Sequence, residues 1–126
     1  MNEKNKVHIL FKKLIIQPEK WFPKNGYKLE ATTNKGVYII LKGKEVLHVG
    51  STPRAKKGIL QRLCNHLRGQ SSFTGKYLKG NGSELRAGYC FKCLPVEDNR
   101  TRVLLENYAI GVLCPKHIGE GQHLKL

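Results

Sequence analysis

The sequence predicts an α+β fold, in which a small three-stranded, mainly antiparallel sheet is flanked by helices. Two observations predict it. Short apolar runs at 36–41, 45–49 and 85–93 and helical patterns at 58–68 and 99–113 follow one another in the order β-β-α-β-α. A tight turn at Gly43 joins the first two runs, which is typical of an antiparallel hairpin. The length of 126 residues suits a single domain.

Residues 1–34 are expected to form an N-terminal extension that is partly helical and partly irregular. A helical pattern in VHILFKKLI is followed by Pro18, Trp21, Phe22 and Pro23, which predict an irregular segment anchored by its aromatic side chains. The core is expected over 35–118, and residues 119–126 are expected to form a C-terminal tail.

Each of the two helical patterns carries its own boundary signals. The first has a one-sided apolar stripe and ends before Gly69, a residue suited to terminating a helix. The second is preceded by Asp98 and Asn99, either of which can cap a helix, and Pro115 stops it. Residues 69–84 lie between the first helix and the third strand and are rich in Gly, Ser and Lys, so they predict a surface excursion.

The hairpin contains two ring side chains, Tyr38 and His48, that a plain hairpin does not need. With the turn centred on Gly43, Tyr38 would lie opposite His48 and Ile39 opposite Leu47. One face would then be entirely apolar, and a slip of one residue would mix His48 into that face, so burial favours this register. We therefore expect Tyr38 and His48 to be neighbours on a polar, basic face, where a simple packing pair is the alternative interpretation.

Three polar side chains on the predicted helices favour a shared site. Arg62 and His66 are four residues apart, so both can point at one spot. Glu106 lies in a helix that is apolar almost all round, where a carboxylate is costly unless it meets a cation or a metal. A salt bridge to Arg62 would satisfy it, but a site shared with Tyr38 and His48 accounts for all of these residues. Phosphodiester hydrolysis needs such a set: a base, a cation and an acidic metal ligand.

The charge balance of the chain indicates a polyanionic partner. The chain has 23 Lys and Arg against 9 Asp and Glu, a formal charge of +14, so nucleic acid is the first candidate. The basic residues are spread along the chain, as on a folded basic face. The longest apolar run near the N-terminus, 14–16, is too short for a signal peptide or a membrane span, so a soluble, cytoplasmic protein is expected.

The four cysteines are expected to be reduced, because a domain this rich in Ile, Leu and Val needs no disulfides. The spacing of Cys90 and Cys93 from Cys114 and His117 is close to that of a zinc ribbon, which leaves a zinc-binding module as an alternative. Against that alternative, the odd offset along a strand would send Cys90 and Cys93 to opposite faces.

The sequence resembles the GIY-YIG nuclease family, which is named for two tripeptides on the first two strands. Here they read Gly36-Val37-Tyr38 and His48-Val49-Gly50, followed in order by Arg62 on the next helix and Glu106 on a later one. The resemblance covers about residues 35–118. It implies an endonuclease that uses Mg2+ or Mn2+ to hydrolyse DNA phosphodiester bonds, as a restriction, homing, mobile-element or repair enzyme.

The resemblance also implies roles for single residues. Tyr38 would be the base or base relay beside the attacking water, Arg62 would contact the scissile phosphate, and Glu106 would hold the metal ion. His66 looks like a histidine that some restriction enzymes of the family carry one turn after the arginine. His48 stands in the place of the second family tyrosine, and an imidazole can also accept a proton near neutral pH.

Two further positions differ from the family pattern. Ser51 stands where many members have Lys, and Ile118 stands where Asn is frequent, with His117 adjacent. These departures leave a second function open, that of a degenerate domain which only binds nucleic acid.

Nucleic-acid contacts are expected from the basic loops and from the N-terminal segment. Phe73 and Tyr77 would contribute from the 69–84 loop. The predicted nucleic-acid-binding residues are Lys42, Lys44, Arg54, Lys56, Lys57, Lys76 and Lys79. DNA is the expected partner, and RNA is left open. Cutting both strands of a duplex calls for a homodimer or for two successive encounters, and the sequence does not choose between them.

Overall fold

The structure, a computed structural model, describes residues 2–52 and 56–118. Its helices are α1 (Glu3–Ile15), α2 (Gly58–Leu67), α3 (Ser72–Tyr77) and α4 (Asn99–Leu113), with a 3-10 helix at Gly82–Arg86. Its strands are β1 (Lys20–Trp21), β2 (Gly36–Lys42), β3 (Glu45–Ser51) and β4 (Tyr89–Pro95). The predicted α+β class, with helices flanking an antiparallel sheet, is confirmed. In the described ranges, no helix has both the length and the apolar character that crossing a membrane requires.

The sheet has four strands rather than the predicted three, in the order β1-β4-β2-β3, and all of its pairings are antiparallel. The additional strand, β1, consists only of Lys20 and Trp21 and pairs with β4 at an outer edge. A strand of two residues shows no alternation that a sequence pattern could reveal. Its neighbours Pro18 and Pro23 are compatible with an edge strand, where proline is tolerated.

Helices cover both faces of the sheet. The α2 core lies between the sheet and α2 and α3, and its fully buried members are Tyr38, Ile40, Leu47, Ile59, Leu63, Phe73, Leu85 and Phe91. The α4 core lies on the other face, against α1 and α4, and includes Leu14, Val37, Ile39, Leu41, Val49, Leu105 and Ala109. The predicted polar, basic face of the hairpin is therefore wrong.

The register of the hairpin also differs from the prediction. Tyr38 lies opposite Gly50, and Ile40 lies opposite His48, with an irregularity between Ile40 and Leu41. The irregularity places Leu47 in the α2 core with Ile40, although the predicted alternation assigned Leu47 to the opposite face. The predicted register relied on burial of only one face of the hairpin. Because both faces are buried, the requirement for one apolar face does not select a register.

The boundaries of α2 and α4 agree closely with their local signals. The observed α4 has the predicted bounds, and the Asp98 carboxylate caps it by accepting from the backbone nitrogen of Thr101 at 2.9 Å. The backbone then enters the left-handed region at Cys114 (φ 47°), just before Pro115. The surface excursion predicted at 69–84 is instead largely helical, because α3 and the 3-10 helix lie within or across it.

Candidate active site

A buried phenol and imidazole pair lies at the centre of the site. Tyr38 Oη is 2.6 Å from His66 Nε2, and both side chains have 0% exposure. β2 supplies Tyr38, and the last turn of α2 supplies His66, where the helix packs its apolar side on the sheet. On its other side, His66 Nδ1 is 2.6 Å from Ser71 Oγ, the capping residue of α3.

Close packing explains both glycines of the two tripeptides. A methyl group at Gly50 would overlap the ring and the hydroxyl of Tyr38, which crosses directly over it from the neighbouring strand. A methyl group at Gly36 would overlap the carbonyl oxygen of Leu94 and approach Ile59 of α2. Gly50 therefore makes the space in which the phenol reaches His66.

His48 lies beside this pair in a cluster of rings. It stacks on Phe73 with centroids 5.0 Å apart and an interplanar angle of 15°, and its ring centroid is 5.2 Å from that of His66. His117 approaches it at 5.4 Å. That approach arises because the segment after α4 runs along the outer edge of β3, where the His117 nitrogen donates to the Leu47 carbonyl at 2.9 Å. His48 Nδ1 is buried and has no hydrogen-bond partner among the described residues.

Arg62 of α2 contributes the cation of the cluster. Its positive charge acts on Tyr38 and lowers the pKa of the phenol, against the larger effect of burial, which raises it. Its Nε is buried, and no described residue accepts a hydrogen bond from it. An unpaired buried donor is uncommon and costs roughly 1–3 kcal/mol, so this nitrogen is available to an acceptor that the free protein does not supply.

Glu106 approaches the cluster from the other side of the sheet. Its helix, α4, packs on the face opposite to Tyr38, but β3 is the edge strand and Ser51 at its end donates from Oγ to Glu106 Oε1 at 2.6 Å. The carboxylate is close enough for its charge to raise the pKa of Tyr38. Glu106 therefore reaches the expected shared site at the edge of the sheet and not from the face that carries Tyr38.

Burial keeps the phenol and both imidazoles uncharged near neutral pH. It is the main cause that raises the pKa of Tyr38 to about 12. It also lowers the pKa of His48 to about 3 and that of His66 well below its ordinary value, with Arg62 and the neighbouring histidines acting in the same direction. A hydrogen bond to the backbone of His117 opposes the shift at His48 without cancelling it.

The buried histidines predict a loss of stability in weak acid. The pKa of His48 is lowered from 6.5 to about 3 on folding, so below pH 6.5 the unfolded chain binds protons that the folded chain does not. The contribution of His48 to the free energy of unfolding is therefore largest above pH 6.5, and it decreases as the pH falls towards 3. Each such histidine removes roughly 1.4 kcal/mol per pH unit in this window.

We expect urea midpoints to decrease from pH 7 to pH 5, a range above the titration of most carboxyl groups. His48→Gln should reduce the slope, while His8→Gln, at an exposed histidine of α1, should leave it unchanged. A midpoint that is constant over this range would contradict a neutral, buried cluster.

Metal binding at this site would depend on Glu106. In the described part of the chain, no group of three or more His, Cys, Asp or Glu side chains could hold a metal ion. A single carboxylate fits Mg2+ or Mn2+, which complete their coordination with water and substrate phosphate, whereas zinc needs several protein ligands.

The cysteines do not form the alternative zinc site. Cys90 belongs to the α4 core and Cys93 packs against the α2 core, so the two side chains lie on opposite faces of the sheet, as predicted. Burial raises the pKa of Cys90 to about 11 and that of Cys93 to about 12, which keeps both thiols protonated. Two thiols on opposite faces of a sheet cannot bind the same tetrahedral zinc ion.

The predicted nucleic-acid contacts are in part exposed and in part buried. Six of the predicted basic residues are exposed: Lys42, Lys44, Lys56, Lys57, Lys76 and Lys79. The seventh, Arg54, lies outside the described residues. Phe73 was predicted to contact substrate but is fully buried beneath His48, whereas Tyr77, which stacks on its other side, is 40% exposed.

Sequence reasoning missed Ser71 and treated Ser51 only as a departure from a family pattern. A signal for Ser71 was present, because Ser71 and Thr74 form a capping box that marks the start of a helix. Ser51 gave no comparable signal, since its contact with Glu106 joins residues 55 positions apart.

No protein-family model matches the chain, and no curated protein matches it. Among solved structures, the chain is similar to the GIY-YIG N-terminal endonuclease domain of UvrC from Thermotoga maritima, in the crystal structure of a point mutant bound to its catalytic divalent cation. The identity is 20%, the match covers 92% of this chain and 96% of that chain, and the TM-score is 0.48. At this level of similarity, no residue's role passes from that domain to this chain.

Proposed function

We propose that this chain is a divalent-metal-dependent endonuclease that hydrolyses DNA phosphodiester bonds, as a restriction, homing, mobile-element or repair enzyme. One observation carries the proposal: the buried Arg62 Nε, unpaired among the described residues, lies in a cluster that also holds the Tyr38 and His66 pair. A phosphate oxygen is the acceptor that best suits such a donor, because guanidinium and phosphate match in charge and geometry.

In the proposed reaction, Arg62 binds the phosphate and stabilises the charge that develops on it. Tyr38 takes a proton from the nucleophilic water as its own hydroxyl proton passes to His66 Nε2. This exchange suits a phenol whose pKa is about 12, because the phenolate is never formed as a separate species. Tyr38 is covered in the free protein, so substrate has to reach it past the two partly exposed members of the cluster, Arg62 and Glu106.

Glu106 is the proposed metal ligand, and Ser51 orients it. The Ser51 hydroxyl donates to Oε1 at 2.6 Å, which fixes the orientation of the carboxylate. A Mg2+ or Mn2+ ion bound there would neutralise phosphate charge and lower the pKa of its bound water.

The exposed lysines would supply the remaining attraction for DNA. Lys56 and Lys57 directly precede α2, which carries Arg62. Lys76 lies on α3 and Lys79 follows it, and the N-cap of this helix contacts His66. Lys42 and Lys44 lie at the hairpin turn, at the other end of the hairpin from Gly50. With a formal charge of +14, the chain should bind the DNA backbone strongly at low salt and weakly at high salt.

The alternative function is nucleic-acid binding without cleavage. A specific observation favours it, because the candidate bases are inaccessible or weak. Tyr38 is fully buried, and burial lowers the pKa of His48 to about 3. A domain of this kind would use the same lysines and Arg62 but would bind the phosphate without hydrolysing it.

A plasmid assay separates the two functions. We expect the protein to convert supercoiled plasmid to nicked circles with Mg2+ or Mn2+, and to leave it intact with EDTA, across pH 6 to 9. Labelled single-stranded RNA in parallel reactions tests whether RNA is also cut. Retarded but uncut DNA under every metal and pH would establish the binding function in place of the nuclease.

A further inference from the structure

A continuous chain of hydrogen bonds runs from the buried phenol of Tyr38 to the first turn of α3. Tyr38 Oη is 2.6 Å from His66 Nε2, and His66 Nδ1 is 2.6 Å from Ser71 Oγ. Ser71 Oγ also accepts from the backbone nitrogen of Thr74 at 3.2 Å, as the cap of the helix. Tyr38 and His66 are fully covered, whereas Ser71 is partly exposed, so Ser71 connects the buried pair to the protein surface.

Counting donors and acceptors assigns a direction to each bond. Thr74 Oγ1 donates its hydrogen to the Ser71 carbonyl at 3.2 Å, so in its 2.9 Å contact with Ser71 Oγ it is the acceptor. The Ser71 hydroxyl hydrogen is therefore used there, and Ser71 Oγ can only accept from His66 Nδ1. Among the described residues, the hydrogen-bond partner of the phenol is His66 Nε2. A neutral imidazole that accepts at Nε2 carries its hydrogen on Nδ1, and this hydrogen is donated to Ser71 Oγ.

The bonds of Ser71 are consistent with that assignment. Its hydroxyl oxygen has two lone pairs, one for the Thr74 backbone N–H and one for His66 Nδ1–H. Its own hydrogen can be donated to Thr74 Oγ1, which is 2.9 Å away. The hydrogen and both lone pairs of the Ser71 hydroxyl are then used, and His66 is in the tautomer that carries its hydrogen on Nδ1.

We propose that Ser71 is a positioning residue for the nuclease reaction, because it holds His66 in the tautomer whose Nε2 can take the proton of Tyr38. This inference rests on the proposed function. As the water oxygen bonds to phosphorus, the P–O bond to the leaving sugar oxygen breaks, and that oxygen takes a proton from solvent. The water proton passes to Tyr38 Oη and the Tyr38 proton passes to His66 Nε2, so the phenol hydroxyl is restored and His66 becomes an imidazolium. Ser71 stabilises that cation by accepting from Nδ1–H, and the proton returns to solvent after the product leaves.

Ser71 also has a plain structural role as the cap of α3, so the test has to separate the two. Several titratable or charged groups face His66 from the surrounding elements: Tyr38 of β2, His48 of β3, Arg62 of α2 and His117 of the segment after α4. In the described structure, the hydrogen-bond partner of His66 Nδ1 is Ser71 Oγ.

The direct test is nitrogen NMR on histidine-labelled protein, with His66→Gln used to assign the resonances. In the wild-type protein, His66 should carry its proton on Nδ1. Ser71→Ala should populate the Nε2–H tautomer, and Ser71→Thr should restore the original one. A wild-type His66 protonated at Nε2, or a tautomer that Ser71→Ala leaves unchanged, would overturn the inference. This result does not depend on whether the protein cuts DNA.

The kinetic test uses the nicking assay. Ser71→Ala should lower kcat roughly tenfold with KM unchanged, less than the 100-fold that removing a proton acceptor can bring. Asn2→Ala, which removes the cap of α1 far from the site, should lower thermal stability without changing kcat. Ser71→Asp keeps a good cap but places a carboxylate beside Nδ1, which raises the pKa of His66 and moves the acidic limb of the kcat profile to higher pH.

If Ser71 only caps α3, Ser71→Asp should behave as wild type in kcat and in its pH profile, and that outcome would also overturn the inference. An uncut plasmid together with the expected tautomers would reject the nuclease function while keeping the assignment of His66.

Discussion

Glu106→Gln is expected to abolish plasmid nicking, with a loss of at least about 10³ in rate, because a neutral amide is a poor ligand for Mg2+. The amide has the same shape, and its oxygen can still accept from the Ser51 hydroxyl that now binds Oε1 at 2.6 Å. The fold should therefore be preserved. DNA binding without metal should be unchanged or tighter, because the change removes a negative charge from the site. The measurements are nicking rates, Mn2+ binding by calorimetry and DNA binding in EDTA.

The matched control is Glu97→Gln, which removes an exposed carboxylate just before α4 and should leave nicking unchanged. Equal loss in both variants would indicate a general charge effect rather than a metal ligand. If Glu106→Gln nicks plasmid at the wild-type rate, Glu106 is not the metal ligand, and another residue must bind the metal ion.

Arg62→Met is expected to lower kcat by about 10² to 10³, the range seen when one donor that stabilises developing charge is removed. Met keeps an unbranched stem of similar length but has no positive charge and no donors. The free energy of unfolding should be unchanged or higher, since the buried Nε has no partner among the described residues and its removal leaves no group unsatisfied. A residue that acts only in structure would show the opposite pattern.

Nicking kinetics and urea unfolding measure the two effects of this substitution. Arg68→Met is the matched control, because Arg68 caps the same helix at its end and its side chain is exposed. It should weaken DNA binding slightly at low salt and leave kcat unchanged. Arg62→Met that unfolds more readily but cuts at the wild-type rate would show that Arg62 holds the core rather than the phosphate.

Local signals predicted the elements well where they lie within one segment. The bounds of α4 followed from Asp98 and Pro115, since a cap and a stop act on the adjacent turn of backbone. The same reasoning predicted α2 to within one residue, at Gly58–Leu67. It failed for β1, because two residues carry no period, and their strand conformation comes from pairing with β4 about 70 positions later.

The candidate site was predicted as a set of residues but not as an arrangement. Tyr38, His48, Arg62, His66 and Glu106 do lie around one region, yet Tyr38 faces Gly50 rather than His48. Glu106 reaches the region over the edge of the sheet from α4. Phe73, expected to touch substrate, instead stacks on His48 inside the core. Each difference follows from a second layer of helices that a hairpin pattern does not reveal.

The sequence by itself determined the class of fold, the bounds of α2 and α4, the basic character of the surface and the residue types available for chemistry. These properties depend on composition and on contacts within a few residues of chain. Only the tertiary structure decided that the hairpin is buried on both faces, that its phenol bonds to His66 and that Ser51 and Ser71 support the site. The physical reason is that burial shifts pKa values and selects tautomers through neighbours that are remote in sequence, and no local pattern records which segments will cover a given side chain.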